Sequence, residues 1–270
     1  MSYIILQILP YITVIVFTVG ILYRLGRWAG PKLMPNVILS PFPRSEAQRF
    51  GVIGAEVIFF RSLFSSDRAL WVGAWLMHIA LFMAIGGHVV GIYFLGKQFI
   101  YLGVTETMSE NLSVLLGTSA GLLLLAGLLY LLIRRVSIPK VKEVSSPSDY
   151  LHLVLLLTIV VIGNIMRLWE HSLGIAYEPV KDYVTQLITF KPLPLDHEVL
   201  KTPLFVLHLL FVQILLMILP FSKLMHIPGM FAERWIINRV YKEPAPGLPN
   251  VDIEAARRAG IGLPSGEGGV

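Results

Sequence analysis

The sequence contains no cysteine. Without thiolates the chain can form no disulfide, hold no iron–sulfur cluster and build no thiolate-ligated zinc site. Charged residues are also scarce, at 14% of the chain against 55% hydrophobic residues. This composition is far outside the range of soluble domains and places the chain in a lipid bilayer. Any iron–sulfur cluster that works with this chain must therefore lie on a partner subunit.

Five apolar runs are each long enough to cross a bilayer, which takes roughly 20 residues as a helix. They are residues 4–23, 70–95, 112–133, 150–169 and 203–224. We predict an all-α integral membrane protein with five transmembrane helices within residues 1–243. The Pro- and Gly-rich residues 244–270 are expected to form an extended tail.

The basic residues predict the orientation. Seventeen of the 22 Lys and Arg residues follow spans one, three and five, whereas the opposite side has four, namely Lys97, Lys181, Lys191 and Lys201. By the positive-inside rule the N-terminus lies outside and the C-terminus in the cytoplasm. The net charge of +5 then reflects topology and contact with lipid headgroups, and nucleic-acid binding is not indicated. The chain is expected to be a multi-pass protein of the cytoplasmic membrane.

Four of the seven histidines lie in apolar stretches of spans two and five. They are His78, His88, His208 and His226. Span two runs outward and span five runs inward, so depth pairs His78 with His226 and His88 with His208. Two facing imidazoles can fill both axial positions of a haem iron, and Gly86, Gly87 and Gly91 leave room for a flat macrocycle. We predict two b-type haems ligated by these four histidines, whereas a single membrane histidine would more often be a hydrogen-bonded structural residue.

The spacing within span five does not match that in span two. His78 and His88 are ten residues apart, a rise of about 15 Å, whereas the eighteen residues from His208 to His226 make about five turns and about 27 Å. Five whole turns would place both histidines of span five on one face. Pro220 is expected to kink or end the helix between them and shorten the distance.

The other three histidines are not predicted to be ligands. His152 and His171 lie at opposite ends of span four and are expected at the membrane interface, and His197 lies in an outer loop. In the same span, Asn164 and Arg167 are polar at membrane depth, where a partner or cavity is expected. Arg167 either reaches the outer interface or pairs with a haem propionate or a quinone.

Residues at helical spacing also predict a helix in two of the connections between spans and a packing surface in span three. Residues 44–64 are predicted to form a helix along the cytoplasmic interface. Residues 180–188 form either a cap over the outer face or an ordinary surface helix. In span three, Gly117 and Gly121 form a small-xxx-small pattern that favours close helix packing.

Two stretches resemble the haem-binding helices of the respiratory nitrate reductase gamma subunit family. They are LMHIALFMAIGGHVVG at residues 76–91 and FVLHLLFVQILLMILPFSKLMHI at residues 205–227. The resemblance implies that His78 and His226 hold the haem proximal to the cytoplasmic subunits, and that His88 and His208 hold the distal one. It agrees with the pairing from depth.

A branch of that family, the membrane cytochrome b subunit of the dissimilatory sulfite reductase-associated redox complex, is more similar still. The similarity lies in the run Phe59-Phe60-Arg61-Ser62-Leu63-Phe64, followed by Asp67 and Trp71. Nitrate reductase members place a quinol-binding lysine before span three, where this chain has Ser109, Glu110 and Asn111. This departure removes that quinol contact. His88 is predicted to lie next to the quinol, with Gly87, Glu110 and Arg167 as further candidates for the quinone site.

These observations predict a quinol-oxidising electron-transfer subunit of an oxidoreductase complex. It would exchange electrons between a menaquinone or other quinone pool near the outer face and a cytoplasmic iron–sulfur subunit, alongside further membrane and periplasmic subunits. The iron–sulfur subunit is expected to dock on residues 44–68, residues 134–142 and the start of the tail. The alternatives are a nitrate reductase gamma subunit, a quinone-independent haem wire from a periplasmic cytochrome, and a transporter or structural anchor in which the histidines only pack.

Overall fold

A computed structural model describes residues 1–29, 43 and 45–238 of the chain. Five helices within these ranges are long and apolar enough to cross a membrane: Ile4–Ala29, Arg68–Phe94, Glu106–Ser137, Pro147–Leu168 and Pro203–Phe221. The five predicted spans are therefore confirmed as helices. The predicted tail, residues 244–270, lies outside the described residues.

The regular elements in the described ranges are all helical. In chain order they are α1 (Leu9–Ala29, preceded by a π-helical turn Ile4–Ile8), α2 (Glu46–Phe59), α3 (Arg61–Ser66), α4 (Arg68–Phe94), α5 (Glu106–Ser137), α6 (Pro139–Glu143), α7 (Pro147–Leu168), α8 (Glu170–Leu173), α9 (Tyr177–Ile188), α10 (Glu198–Lys201), α11 (Pro203–Ile218) and α12 (His226–Ile237). Short 3-10 turns lie at Gln98–Leu102, Leu219–Phe221 and Lys223–Met225.

The chain divides into two compact units, and the larger contains all five spans: Met1–Ala29 with Phe60–Met225. In this unit α4 packs on α5, α5 on α7, α7 on α11 and α11 on α1. Glycines set the close approaches, since a Cβ at Gly127 of α5 would lie 2.7 Å from Met77 Cβ of α4. Met77 and Ala80 form a buried cluster there with Leu124 and Leu128.

The predicted packing role is confirmed for Gly121 at the α5–α7 interface, whereas an added Cβ at Gly117 would make only an ordinary contact. A Cβ at Gly121 would overlap the Asn164 side chain, which lies against that glycine and donates its amide to the Gly121 carbonyl at 3.0 Å. Gly117 lies beside the guanidinium group of Arg167. The polar Asn164 is buried, and its amide nitrogen also donates to the Val160 carbonyl, so both amide protons have an acceptor.

The helix α9 packs onto one end of the five-helix unit. Tyr183 is 2% exposed, and its hydroxyl donates to the Leu6 carbonyl at 2.8 Å. Val180 and Tyr183 belong to one buried cluster with Leu6 and Phe205. The stretch 180–188 is therefore a cap over the spans rather than an ordinary surface helix. Burial raises the pKa of the Tyr183 hydroxyl, which keeps it a neutral donor.

The second unit contains, within the described residues, α2 and α12. Arg49 lies with its guanidinium carbon 3.7 Å from the centre of the Trp235 ring and donates to the Trp235 carbonyl. Arg234 pairs with Glu56 at 3.4 Å. The predicted helix over residues 44–64 is confirmed in type but wrong in continuity. Phe60 adopts a left-handed backbone conformation, with φ at 50°, and separates α2 from α3.

Candidate haem site

The clearest candidate site lies between α4 and α11, where His88 faces His208. Their ring centroids are 6.3 Å apart and their planes differ by 9°. A metal ion bound by two imidazoles through bonds of about 2 Å would separate the ring centroids by roughly 6 Å. The two rings therefore stand at the separation that a shared axial metal requires.

Backbone carbonyls fix the orientation of both rings. The Nδ1 atom of His88 lies 2.6 Å from the Ala84 carbonyl of its own helix, and that of His208 lies 3.1 Å from the Ile159 carbonyl of α7. A carbonyl can only accept, so Nδ1 of each ring carries the proton. The Nε2 lone pair is then the one available to a metal, as is usual for ligand histidines.

Glycines leave the surroundings of His88 open. A Cβ at Gly86, Gly87 or Gly91 would have no atom within 4 Å apart from its own helix backbone and chain neighbours. Zinc usually takes four protein or water ligands, and no cluster of three or more His, Asp or Glu that could hold a metal ion occurs among residues 1–29, 43 and 45–238. A haem brings four nitrogens of its own and needs two axial ligands. The His88–His208 pair therefore fits a haem.

His78 has the same local support as His88. Its Nδ1 atom lies 2.7 Å from the Ala74 carbonyl, four residues earlier in α4. Phe60 presents its ring at right angles to the imidazole, with centroids 5.1 Å apart. His226 begins α12 and belongs to the second unit, so its pairing with His78 stays a prediction.

The assumption that His208 and His226 share one helix face is wrong. The helix α11 ends at Ile218, and two 3-10 turns follow before α12 begins at His226. Pro220 has no amide proton and cannot continue an α-helix, so the prediction that it kinks or ends the helix is confirmed. The rotation and rise per residue of an α-helix therefore cannot be used to relate the positions of His208 and His226.

The remaining histidines are not brought to this pair. His152 is 8% exposed and lies in the second turn of α7; its position at the membrane interface stays a prediction. His197 caps α10 by accepting from the Val199 amide and contacts Asp182 at 3.0 Å. His171 is exposed on α8, and its position at the membrane interface also stays a prediction.

The four predicted quinone-site residues fall into two places. Gly87 and His88 lie together in α4, whereas Glu110 and Arg167 lie near the far end of α4, around Gly96. A Cβ at Gly96 would lie 3.8 Å from Glu110 and 3.4 Å from Tyr177. The helix α4 continues for six residues beyond His88, about 9 Å of rise, and ends at Phe94, two residues before Gly96.

Arg167 is held at this end of the bundle by three partners. It donates to the Tyr177 hydroxyl at 3.3 Å and to the Ser113 carbonyl at 3.4 Å, and it lies 3.9 Å from Glu170. It therefore joins α5, α7 and α9, and its side chain is only 20% exposed. Contact between Arg167 and a quinone stays a prediction.

Sequence reasoning missed two residues that support the candidate site. One is Ile159, whose backbone carbonyl holds His208; no sequence signal reports a carbonyl. The other is Gly163, where a Cβ would lie 3.2 Å from His208 Cε1. A glycine inside an apolar helix was the available signal for the second.

Comparison with known proteins agrees with the family resemblance of the haem-binding helices. The family model described as nitrate reductase gamma subunit matches residues 34–241. An Hdr-like menaquinol oxidoreductase cytochrome b-like subunit of Archaeoglobus fulgidus is 30% identical over 260 residues, covering 83% of this chain and 76% of that protein. Its counterpart from Archaeoglobus profundus is 28% identical, covering 94% and 85%. The nitrate reductase gamma chain of Bacillus subtilis is 28% identical, covering 72% and 88%. This chain belongs to the nitrate reductase gamma subunit family.

Proposed function

We propose that the chain is the di-haem cytochrome b subunit of a membrane-bound respiratory complex. In this role it transfers electrons between menaquinol near the outer face and an iron–sulfur subunit in the cytoplasm. The observation that carries the proposal is the facing pair His88 and His208, with parallel rings 6.3 Å apart. The cytochrome b-like relatives support the electron-transfer role.

Each histidine pair has one task, which is to fill both axial positions of a haem iron. His88 and His208 hold the distal group, and His78 and His226 hold the proximal one. A haem ligated in this way has no open site for oxygen and exchanges single electrons. The carbonyls of Ala74, Ala84 and Ile159 keep Nδ1 protonated and the rings in a fixed orientation.

The proposed orientation places the distal pair nearer the outside. The distribution of Lys and Arg supports an external N-terminus and a cytoplasmic C-terminus. Under this topology α9 and the Arg167 cluster lie at the outer face, and α3, α6 and the tail face the cytoplasm. Arg134 and Arg135, at the C-terminal end of α5, then also lie on the cytoplasmic side, as the positive-inside rule predicts.

Quinol is the proposed electron donor, and menaquinol is its proposed form because two relatives are named menaquinol oxidoreductase subunits. Gly87 and His88 would contact the quinol at the distal site. Glu110 and Arg167 are the proposed polar residues at the outer end of the same bundle. Protons released on oxidation would leave on the outer side.

The proposed partner carries iron–sulfur clusters, because this chain has no cysteine with which to build one. We place the complex in sulfite-reduction-associated metabolism on the resemblance of residues 59–71 to that branch. A nitrate reductase complex is the alternative within the same family. A stand-alone haem wire would use the same histidines but no quinol.

The proposal is tested by purifying the chain with its co-eluting subunits and measuring haem by pyridine haemochrome analysis. Two haem b per chain and reduction by a menaquinol analogue are expected. A quinol-site inhibitor should block that reduction. Haem reduction that does not require quinol and is not blocked by the inhibitor would favour the stand-alone wire. A spectrum without b-type bands would favour a transporter or structural anchor.

A further inference from the structure

The two histidines of the distal pair are held in different ways. His88 donates to the carbonyl of Ala84, four residues earlier in its own helix. His208 donates across an interface, to the carbonyl of Ile159 in α7 at 3.1 Å. The orientation of the His208 ring therefore depends on a second helix, whereas the hydrogen bond of His88 lies within α4.

A carbonyl inside an α-helix already accepts a bond from the amide four residues later. For Ile159 that residue is Gly163. A side chain at this position would stand beside the carbonyl, on the path by which His208 reaches it. A Cβ there would lie 3.2 Å from His208 Cε1 and 3.7 Å from Nδ1, the first of these closer than comfortable van der Waals contact. The absent side chain gives the carbonyl room for its second donor.

We infer that Gly163 is a positioning residue for the distal haem, because it lets the Ile159 carbonyl bind Nδ1 of His208 and so tunes the haem's reduction potential. A hydrogen bond from the far nitrogen makes a ligand imidazole more basic. A more basic ligand stabilises ferric iron and lowers the reduction potential. This inference rests on the proposed distal haem and adds α7 to the elements that control it.

The test compares Gly163→Ala with Gly163→Ser in the full chain with its partners. Alanine would push the ring away from the carbonyl. Serine would push it further and would also compete for the carbonyl, since a helical serine bonds to the residue four positions earlier. Gly26→Ala is the matched control, because Gly26 lies in another span with no atom within 4 Å of an added Cβ beyond its own helix backbone and neighbours.

The readouts are a redox titration of each haem and the electron paramagnetic resonance signal of each low-spin ferric centre. We expect the distal haem alone to shift, to a higher potential and an altered signal, with Ser shifting it more than Ala. Loss of the distal haem alone in the Ser variant would agree with the same role. The Gly26→Ala protein should match wild type.

An unchanged distal potential and signal in both Gly163 variants would overturn the inference while leaving the proposed function intact. An equal change at both haems, or loss of both, would also overturn it, because that result indicates a general defect of the bundle. A wild-type chain without a haem between His88 and His208 would overturn the proposed function and the inference together.

Discussion

Arg134 and Asp67 join the adjacent ends of α5 and α4. One carboxylate oxygen of Asp67 binds the Arg134 guanidinium group, and the other accepts from the Leu70 amide at 2.9 Å. The same side chain therefore caps a membrane helix and forms an ion pair with its neighbour. A cap satisfies an amide that the helix leaves without a partner.

These two tasks of Asp67 can be separated by mutation. Asp67→Asn keeps a good capping group but loses the charge, and Asp67→Ala loses both. We expect the Ala variant to be less stable than the Asn variant by about 0.5–2 kcal/mol. The ion pair itself, partly exposed at 18% and 35%, should contribute less than about 1 kcal/mol. Thermal unfolding of the purified complex in detergent measures both differences; equal stability of the two variants would contradict the capping role.

The ligand assignment predicts two separable haems. His88→Ala or His208→Ala should remove the distal haem and quinol-linked activity, while part of the b-type spectrum remains. His78→Ala or His226→Ala should leave a quinol-reducible distal haem but block delivery to the partner. His197→Ala, outside both pairs, is the control. If every ligand variant loses the whole spectrum, the two pairs are not independent and the assignment fails.

The interface between α5 and α7 is tight at Gly121. Gly121→Ala should displace the Asn164 side chain and break its bond to the Gly121 carbonyl, at a cost of about 1–3 kcal/mol for overpacking. Asn164→Ala should cost about 1 kcal/mol, because it leaves that carbonyl without this donor. Gly26→Ala provides the control for helix propensity alone. Equal melting temperatures for the Gly121 and Gly26 variants would show that α7 can move away freely.

The sequence predicted the features that follow from apolar length and residue type. The membrane spans, the close packing at Gly121 and the helix stop at Pro220 depend on local residue chemistry, which can be read from the sequence. The burial of His152 depends on how α7 is turned against its neighbours. The break at Phe60 and the bond from His208 to Ile159 depend on tertiary contacts and on backbone atoms, which residue identity does not encode.

Arg49 fixes α12 to α2 in the second unit. Arg49→Ala should remove both its stacking on Trp235 and its bond to the Trp235 carbonyl, and Arg49→Lys should restore only part of this because Lys lacks the planar group. We expect faster amide exchange in Phe231–Ile237 in both variants, with the larger increase for Ala. The control is Arg61→Ala, in α3 of the other unit. Unchanged exchange in the Ala variant would mean that other contacts hold α12.

The last prediction concerns docking of the cytoplasmic iron–sulfur partner. Residues 134–142 were predicted as part of its surface, but Arg134 binds Asp67 and Arg135 binds Asp149 at 3.3 Å. Reversing these two charges would disrupt the chain itself and would not test docking. Lys140 and Lys142 of α6 are exposed and lie on the same predicted cytoplasmic side. They are therefore the basic residues of this loop that a partner or lipid headgroups can reach.

We expect Lys140→Glu combined with Lys142→Glu to weaken partner binding, with release at lower salt, and to leave both haem spectra unchanged. Exposed charges act mainly on association and its salt dependence, so the effect should diminish as ionic strength rises. Lys191→Glu combined with Lys201→Glu, on the predicted outer side, is the control. Equal release from both double variants would assign Lys140 and Lys142 to the lipid headgroups. Isolation of the wild-type chain under gentle extraction as a homo-oligomer, with no iron–sulfur protein attached, would leave the stand-alone wire as the better account.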